Sequence, residues 1–400
     1  LIGYYRKNLG KLGYREIKSG DEILIRSSQK NLPLYYLLFA SKHPLGHTFW
    51  NRISKISPTG QIKLPFGNNP GGFVRDVSET YLPVKPKVKY KNYKLLNGKI
   101  LKLVDHVNDG SIITRFDKTP QPKNSSDVVC PHFLELKWAY GCPFDCSWCY
   151  LKGTFRFRPN GKEPVIKDYG KIGLHTRAFL EEVKIPEILN TGEIADSLMH
   201  ETSKEPFSKF IIPLFEAQSL HKVLFLTKSS NVKNLLEIEP HNQAIISFSF
   251  NAIPVAKKWE KAPPILKRIE AAKKVYQAGY EVRVRIDPMV PIESWKESYK
   301  ELVDLLFENL APERITLGSL RGLQSTINGC SDKSWVKYLT ESSNWGKKID
   351  FQTRFTMYSG VIDYLKSKYN YEKVALCKET IEMWNSVRMN YKEIRCNCLF

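Results

Sequence analysis

The chain has no apolar run of the roughly 18 residues that a membrane-crossing helix requires, so no membrane span is expected. It does not begin with methionine. Its first residues, Leu1-Ile-Gly-Tyr-Tyr-Arg-Lys7, have the build of neither a secretory signal nor a transit peptide. We therefore expect a cytoplasmic protein whose natural N-terminus is missing. Acidic residues are in short supply, with 41 Asp and Glu against 61 Lys and Arg and a formal net charge of +20. The chain also lacks any C-x2-C or H-x3-H pair in the fifty or so residues after its close-set cysteines, and such a partner pair is what a zinc knuckle needs. With no secretory signal, the eight cysteines point to reduced thiols and metal sites, not to disulfides.

What is present is Gly141-Cys-Pro-Phe-Asp-Cys-Ser-Trp-Cys-Tyr150. Cys142, Cys146 and Cys149 stand at C-x3-C-x2-C spacing, which suits three corners of a [4Fe–4S] cluster and leaves the fourth iron without a protein ligand. An iron left open can be chelated by the amino and carboxylate groups of S-adenosylmethionine, and an electron from the cluster, supplied by a reductase, then yields a 5′-deoxyadenosyl radical. Of the other cysteines, Cys377, Cys396 and Cys398 could hold a second cluster, one of them could give a hydrogen atom, or all could be unpaired thiols.

Four hundred residues imply two or three modules. Short β-rich runs at 133–140, 188–191, 222–227, 244–250, 281–286 and 314–317 alternate with helical patterns at 176–183, 264–278 and 294–310. This alternation predicts an α/β fold with a parallel sheet, a partial (β/α)6 barrel. Active residues of such barrels lie at the carboxyl ends of the strands. The candidates there are Gly192 and Glu193, Lys228, Ser249 and Asn251, Arg285 and Asp287, and Ser319 and Arg321.

Residues 1–64 read as a separate α/β segment, with strands at 22–26 and 34–40 and a helix at 46–56. The breaker Pro65-Phe-Gly-Asn-Asn-Pro-Gly-Gly72 follows. Residues 65–128 read as a linker and a hairpin, with Asn108-Asp-Gly110 as its turn. The barrel then takes 129–325 and a small cysteine-containing extension 326–400. His43, His132 and His241 have no partner at ligand spacing and are read as structural.

Basic residues alternate with aromatics in Lys85–Lys94 and again after the cysteine loop, where Lys152, Arg156 and Arg158 lie among Phe155 and Phe157. Phosphate attraction combined with ring stacking is a common way to hold DNA or RNA bases that are unpaired or flipped out.

The cysteine run, Gly192-Glu193, Phe225-Leu-Thr-Lys228, Phe248-Ser-Phe-Asn251 and Ala278-Gly-Tyr280 resemble spore photoproduct lyase and its DNA-repair-photolyase-like relatives among radical S-adenosylmethionine enzymes. The resemblance covers about residues 130–325. Residues 1–62, especially Leu37–Gly46 and Phe49-Trp50, resemble the tail of three-Cys-motif partner proteins. The first resemblance implies that Cys142, Cys146 and Cys149 hold the cluster. It implies that Glu193, with the Gly192 backbone, meets the methionyl amino group, and that Lys228 approaches the carboxylate. Ser249 and Asn251 would contact carboxylate or ribose, and Arg285 would aim its charge at the same pocket. Tyr150 matches one of two tyrosines that serve radical return in the lyase, while Trp148 replaces the other. Asn190 stands where the lyase has its hydrogen-donating cysteine, which leaves Cys377 as a candidate for that role. The chemistry implied is radical attack on a nucleic-acid base. The alternatives are a peptide or small-molecule substrate with an auxiliary cluster, and a non-catalytic iron–sulfur module that binds nucleic acid.

Overall fold

In the computed structural model, residues 85–400 are described, and before them 7–9, 11, 23–26 and 33–37. Two compact units divide the chain, 1–82 and 83–400. In the first, strands Ile23–Arg26 and Pro33–Leu37 pair antiparallel. The helix expected at 46–56, the breaker at 65–72, the resemblance over 38–50 and His43 lie outside the described residues.

The second unit is built on a ten-stranded sheet whose spatial order follows the chain. Its strands are β1 Val88–Lys94, β2 Ile100–Val107, β3 Ile113–Phe116, β4 Phe133–Leu136 and β5 Ile188–Asn190. They continue with β6 Lys222–Thr227, β7 Ala244–Phe250, β8 Glu281–Met289, β9 Ile315–Ser319 and β10 Val374–Leu376. From β4 to β10 every pairing is parallel, and β1–β3 add an antiparallel border. The main crossover helices are α1 Tyr169–Glu182, α2 Phe207–Glu216, α3 Ile265–Gln277, α4 Trp295–Phe307 and α5 Phe351–Tyr369.

All seven residues of β7 are buried, as expected of a parallel strand covered on both faces. In α3, Ile265, Ile269, Ala272 and Val275 are buried at helical spacing, and this stripe seats the helix on the sheet. Helix α1 begins at Tyr169, earlier than its apolar pattern suggests, because the Asp168 carboxylate caps it by accepting from the Lys171 amide at 2.7 Å.

Two stretches read as peripheral are parts of this sheet. The hairpin turns where Asn108 and Gly110 have φ of 55° and 69°, and Lys85–Lys94 supplies β1 at the sheet edge. The segment 326–400 contributes β10, a seventh parallel strand that the sequence pattern did not reveal. At three residues it is too short for any periodicity. His241 stacks on Tyr280 at 3.7 Å, and His132 packs against Tyr93 at 4.7 Å. No helix among the described residues is long and apolar enough to cross a membrane.

Candidate active site

The cysteine loop leaves the sheet after β4 and is pinned from several sides. Gly141 has φ of 85°, and a Cβ there would lie 2.4 Å from the carbonyl oxygens of Lys162 and Glu163, so only glycine fits. The Lys162 ammonium donates to the carbonyls of Cys142 at 3.0 Å and Phe144 at 2.7 Å. The Ser147 amide donates to the Trp259 carbonyl at 2.8 Å, and its hydroxyl to Asp332 at 3.0 Å. All three loop cysteines are free thiols, and burial pushes each above its ordinary pKa, Cys146 to about 11.

The loop forms one wall of a cavity of about 420 Å³. Cys142, Cys146, Cys149 and Tyr150 line it on that side, and Gly192, Glu193, Lys228, Ser249 and Arg285 line it from the strand ends. Seven of the eight cysteines reach it, since Cys130, Cys377, Cys396 and Cys398 line the same space. Cys330 is packed elsewhere, with its thiol 3.2 Å from the Ile327 carbonyl.

Gly192 is required by crowding, because a Cβ would sit 2.5 Å from that of Leu226. Its amide donates to the Asn190 carboxamide at 2.9 Å. The Lys228 ammonium is hydrogen-bonded to the wholly buried Glu260, which also pairs with Arg268 at 2.7 Å. The Asp196 carboxylate, which accepts from the Lys228 amide at 2.7 Å, lies at the same corner. Glu260 was not foreseen, because nothing in the sequence near Trp259 marks it.

Asn251 does not line the cavity. It is fully buried and donates to the Pro288 carbonyl at 2.8 Å, while its oxygen accepts from the Tyr299 hydroxyl at 2.9 Å. It ties the end of β8 to helix α4. Arg285 places one Nη 3.2 Å from the Cys398 sulfur, and its buried Nε has no partner. Asp287 is gripped by both Nη atoms of Arg321, at 3.0 and 2.9 Å, and Arg321 also reaches Cys377 at 3.6 Å.

The three basic residues after the loop differ in their surroundings. Lys152 is largely buried and bridges to Asp145 inside the cysteine loop at 3.0 Å. Arg156 is exposed and lies 4.1 Å over the ring of Phe157, which is 83% exposed. Arg158 lies 4.9 Å over Phe155. The Lys85–Lys94 stretch is separated from the β4 side by β2 and β3, and its Lys85 pairs with Glu181 at 2.5 Å.

Residues 124–320 match the spore photoproduct lyase family model. Among curated proteins, the spore photoproduct lyase of Bacillus subtilis (strain 168) is 31% identical over 192 residues, which cover 43% of this chain and 50% of that protein. The spore photoproduct lyase of Clostridium acetobutylicum is 27% identical over 187 residues, or 45% of this chain and 54% of that protein. This chain thus spans about half the length of the curated relatives it matches. A solved spore photoproduct lyase complexed with dinucleoside spore photoproduct superposes with a TM-score of 0.51 at 17% identity, covering 61% of this chain and 75% of that one. At that identity the superposition speaks for the fold alone, a partial (β/α) barrel.

The donor set fits a [4Fe–4S] cluster and the methionyl group of S-adenosylmethionine. Three free thiols on one loop face a cavity that also holds the Glu193 carboxylate, Lys228 and an Arg285 N–H with no partner.

Proposed function

We propose that this chain is a radical S-adenosylmethionine enzyme acting on a nucleic-acid base, as a repair-type lyase or a base-modifying enzyme. The observation that carries the reading is that Cys142, Cys146 and Cys149 share one cavity with Glu193, Lys228 and Ser249. A [4Fe–4S] cluster on the three thiolates would leave one iron for the methionyl group and supply the electron that cleaves the sulfonium.

The chain's own residues hold the cofactor in place. Glu193 accepts from the methionyl amino group, and Lys228, held by Glu260, approaches the carboxylate. The Ser249 hydroxyl meets the carboxylate or ribose. Tyr150, in the cavity wall beside Cys149, is placed to relay an electron or a hydrogen atom. Trp148 and Trp259, with rings 5.7 Å apart, close the loop side against water. Arg156, Phe157 and Arg158 offer a guanidinium pair and a ring to a strand passing the cavity mouth. Lys152 supports the loop instead.

A solved relative holds dinucleoside spore photoproduct, which favours a base as substrate. Asn190 at the lyase's donor position means that hydrogen return here uses another group. A one-electron reductase is the expected partner. In the same reading 129–325 is the catalytic barrel, 65–128 a linker with an accessory hairpin, 326–400 a cysteine-containing extension, and 1–64 a segment resembling the tail of three-Cys-motif partner proteins.

The test is anaerobic reconstitution followed by a dithionite assay for 5′-deoxyadenosine with ultraviolet-irradiated DNA, undamaged DNA, RNA or no nucleic acid. Formation that depends on all three loop cysteines and rises with one of these polymers is expected. Formation that persists in the triple alanine variant overturns the radical reading, and no response to any polymer overturns the substrate class.

A further inference from the structure

Four cysteines outside the loop triplet line the same cavity: Cys130, Cys377, Cys396 and Cys398. They come from three separate stretches of chain, and dedicated structure brings each one there. Val128–Val129 pairs antiparallel with Glu379–Thr380, which sets Cys130 beside the Cys377-Lys378 corner. The Cys377 amide is itself fixed on the Leu317 carbonyl at 2.7 Å.

The other two thiols flank Asn397, which is completely buried among the barrel strands. Its carboxamide nitrogen donates to the Ser247 hydroxyl at 2.8 Å and the Val284 carbonyl at 3.0 Å, and its oxygen accepts from Thr316 at 2.7 Å. Arg283 donates to the carbonyls of Asn397 and Leu399 at 2.8 and 2.6 Å, and Arg314 to that of Cys396 at 3.3 Å. Ordinary packing of two small thiols does not need six such hydrogen bonds.

The charge around the four sulfurs is positive. Arg285 lies 3.2 Å from Cys398, and Arg321 lies 3.6 Å from Cys377. The Lys378 ammonium is buried with no hydrogen-bond partner, 4.0 Å over the Trp345 ring, and it lines the cavity. Asp287 and Glu193 offset two of these three cations, which leaves one positive charge facing the thiols. An apolar thiol cluster has no use for it, whereas an anionic group held on thiolates does. Among the described residues no three Cys, His or carboxylate side chains are arranged to hold a single metal ion.

We propose that Cys130, Cys377, Cys396 and Cys398 ligate a second iron–sulfur cluster in the wall of the same cavity. Four thiolates in place of three leave it no open iron. It would then not bind S-adenosylmethionine, and it could exchange single electrons with a substrate in that cavity.

The test uses the full chain, reconstituted anaerobically, in three forms: wild type, Cys142→Ala/Cys146→Ala/Cys149→Ala, and Cys396→Ser/Cys398→Ser. With four irons to a cluster, about eight irons per chain are expected in wild type and about four in each variant. The electron paramagnetic resonance signal of the reduced loop-triplet variant should not change on adding S-adenosylmethionine, and that of the Cys396→Ser/Cys398→Ser variant should. No iron in the loop-triplet variant overturns the proposal, as does a Cys396–Cys398 disulfide recovered from the reconstituted wild type. Because the loop-triplet variant makes no radical, its iron content tests the second site whether or not the proposed activity is found.

Discussion

Asn397→Ala should release the 395–399 segment without unfolding the barrel. The substitution removes three buried side-chain hydrogen bonds, to Ser247, Val284 and Thr316. At about 1 kcal/mol net for each, local docking weakens by roughly 3 kcal/mol, and the partners left unpaired push the figure higher. A factor of ten in an equilibrium corresponds to about 1.4 kcal/mol, so the open population of the segment should rise on the order of 100-fold. Cys396 and Cys398 are only 8% and 7% exposed, and alkylation of either must wait for that opening. The assay is alkylation of iron-free protein under native conditions, with each cysteine followed by peptide mass spectrometry. Cys330, buried at 4% exposure and away from the segment, serves as the internal reference. The expected result is labelling of Cys396 and Cys398 accelerated roughly 100-fold, with Cys330 unchanged. Acceleration below about threefold, or an equal rise at Cys330, would refute a segment that docks as a separate unit.

Other perturbations address the loop, the charges and the core. Glu135 on β4 is pushed up to about 7 by burial, with the charge of Glu193 adding to the effect and Lys137 and Lys118 opposing it. Its raised value means that its contribution to stability is full below about pH 4.5 and is lost as the pH rises through 7. Glu135→Gln should therefore gain on wild type by about 3 kcal/mol between pH 4.5 and pH 8 in urea unfolding, and a pH-independent difference would contradict the assignment. Gly141→Ala should cost the cysteine loop its shape, because the added carbon meets two carbonyl oxygens; reconstituted iron should fall by about four per chain, and full retention would count against it. Arg156→Glu with Arg158→Glu should weaken nucleic-acid binding and flatten its salt dependence by about two units of slope. Lys152→Glu should instead lower iron content, since Lys152 pairs with Asp145 inside the loop; the reverse pattern would reassign the surface.

Much of the barrel could be read from sequence because its strands are covered on both faces and its helices on one. Ala244–Phe250 and Lys222–Thr227 end where their apolar runs end. The cysteine loop stood out by its C-x3-C-x2-C spacing and Gly192-Glu193 by its place after a strand, and both line one cavity. Other features depend on contacts between distant residues, which no local pattern records. Asn251 has the residue type for a ribose contact, yet Tyr299 and Pro288 occupy its carboxamide. Lys152 reads as a free cation until Asp145, on the far side of the loop, is brought to it. Arg395-Cys-Asn-Cys-Leu399 has no periodicity at all, and only Ser247, Val284 and Thr316 give it a place.

The arginines that hold this segment have a consequence for how the unit folds. Arg283 and Arg314 are buried, and both spend guanidinium donors on carbonyls of Cys396, Asn397 and Leu399. Until those carbonyls arrive, two like charges on neighbouring strands face each other with Glu281 and Glu313 as their carboxylate partners and part of their hydrogen-bonding capacity unmet. The groups that complete it lie 114 and 82 positions away along the chain. Closing loops of that length is slow compared with forming local helices and adjacent strand pairs. The barrel should therefore collapse early into a hydrated form with a soft centre, and its interior should set only in a late step, when the distant segment displaces water from the arginines.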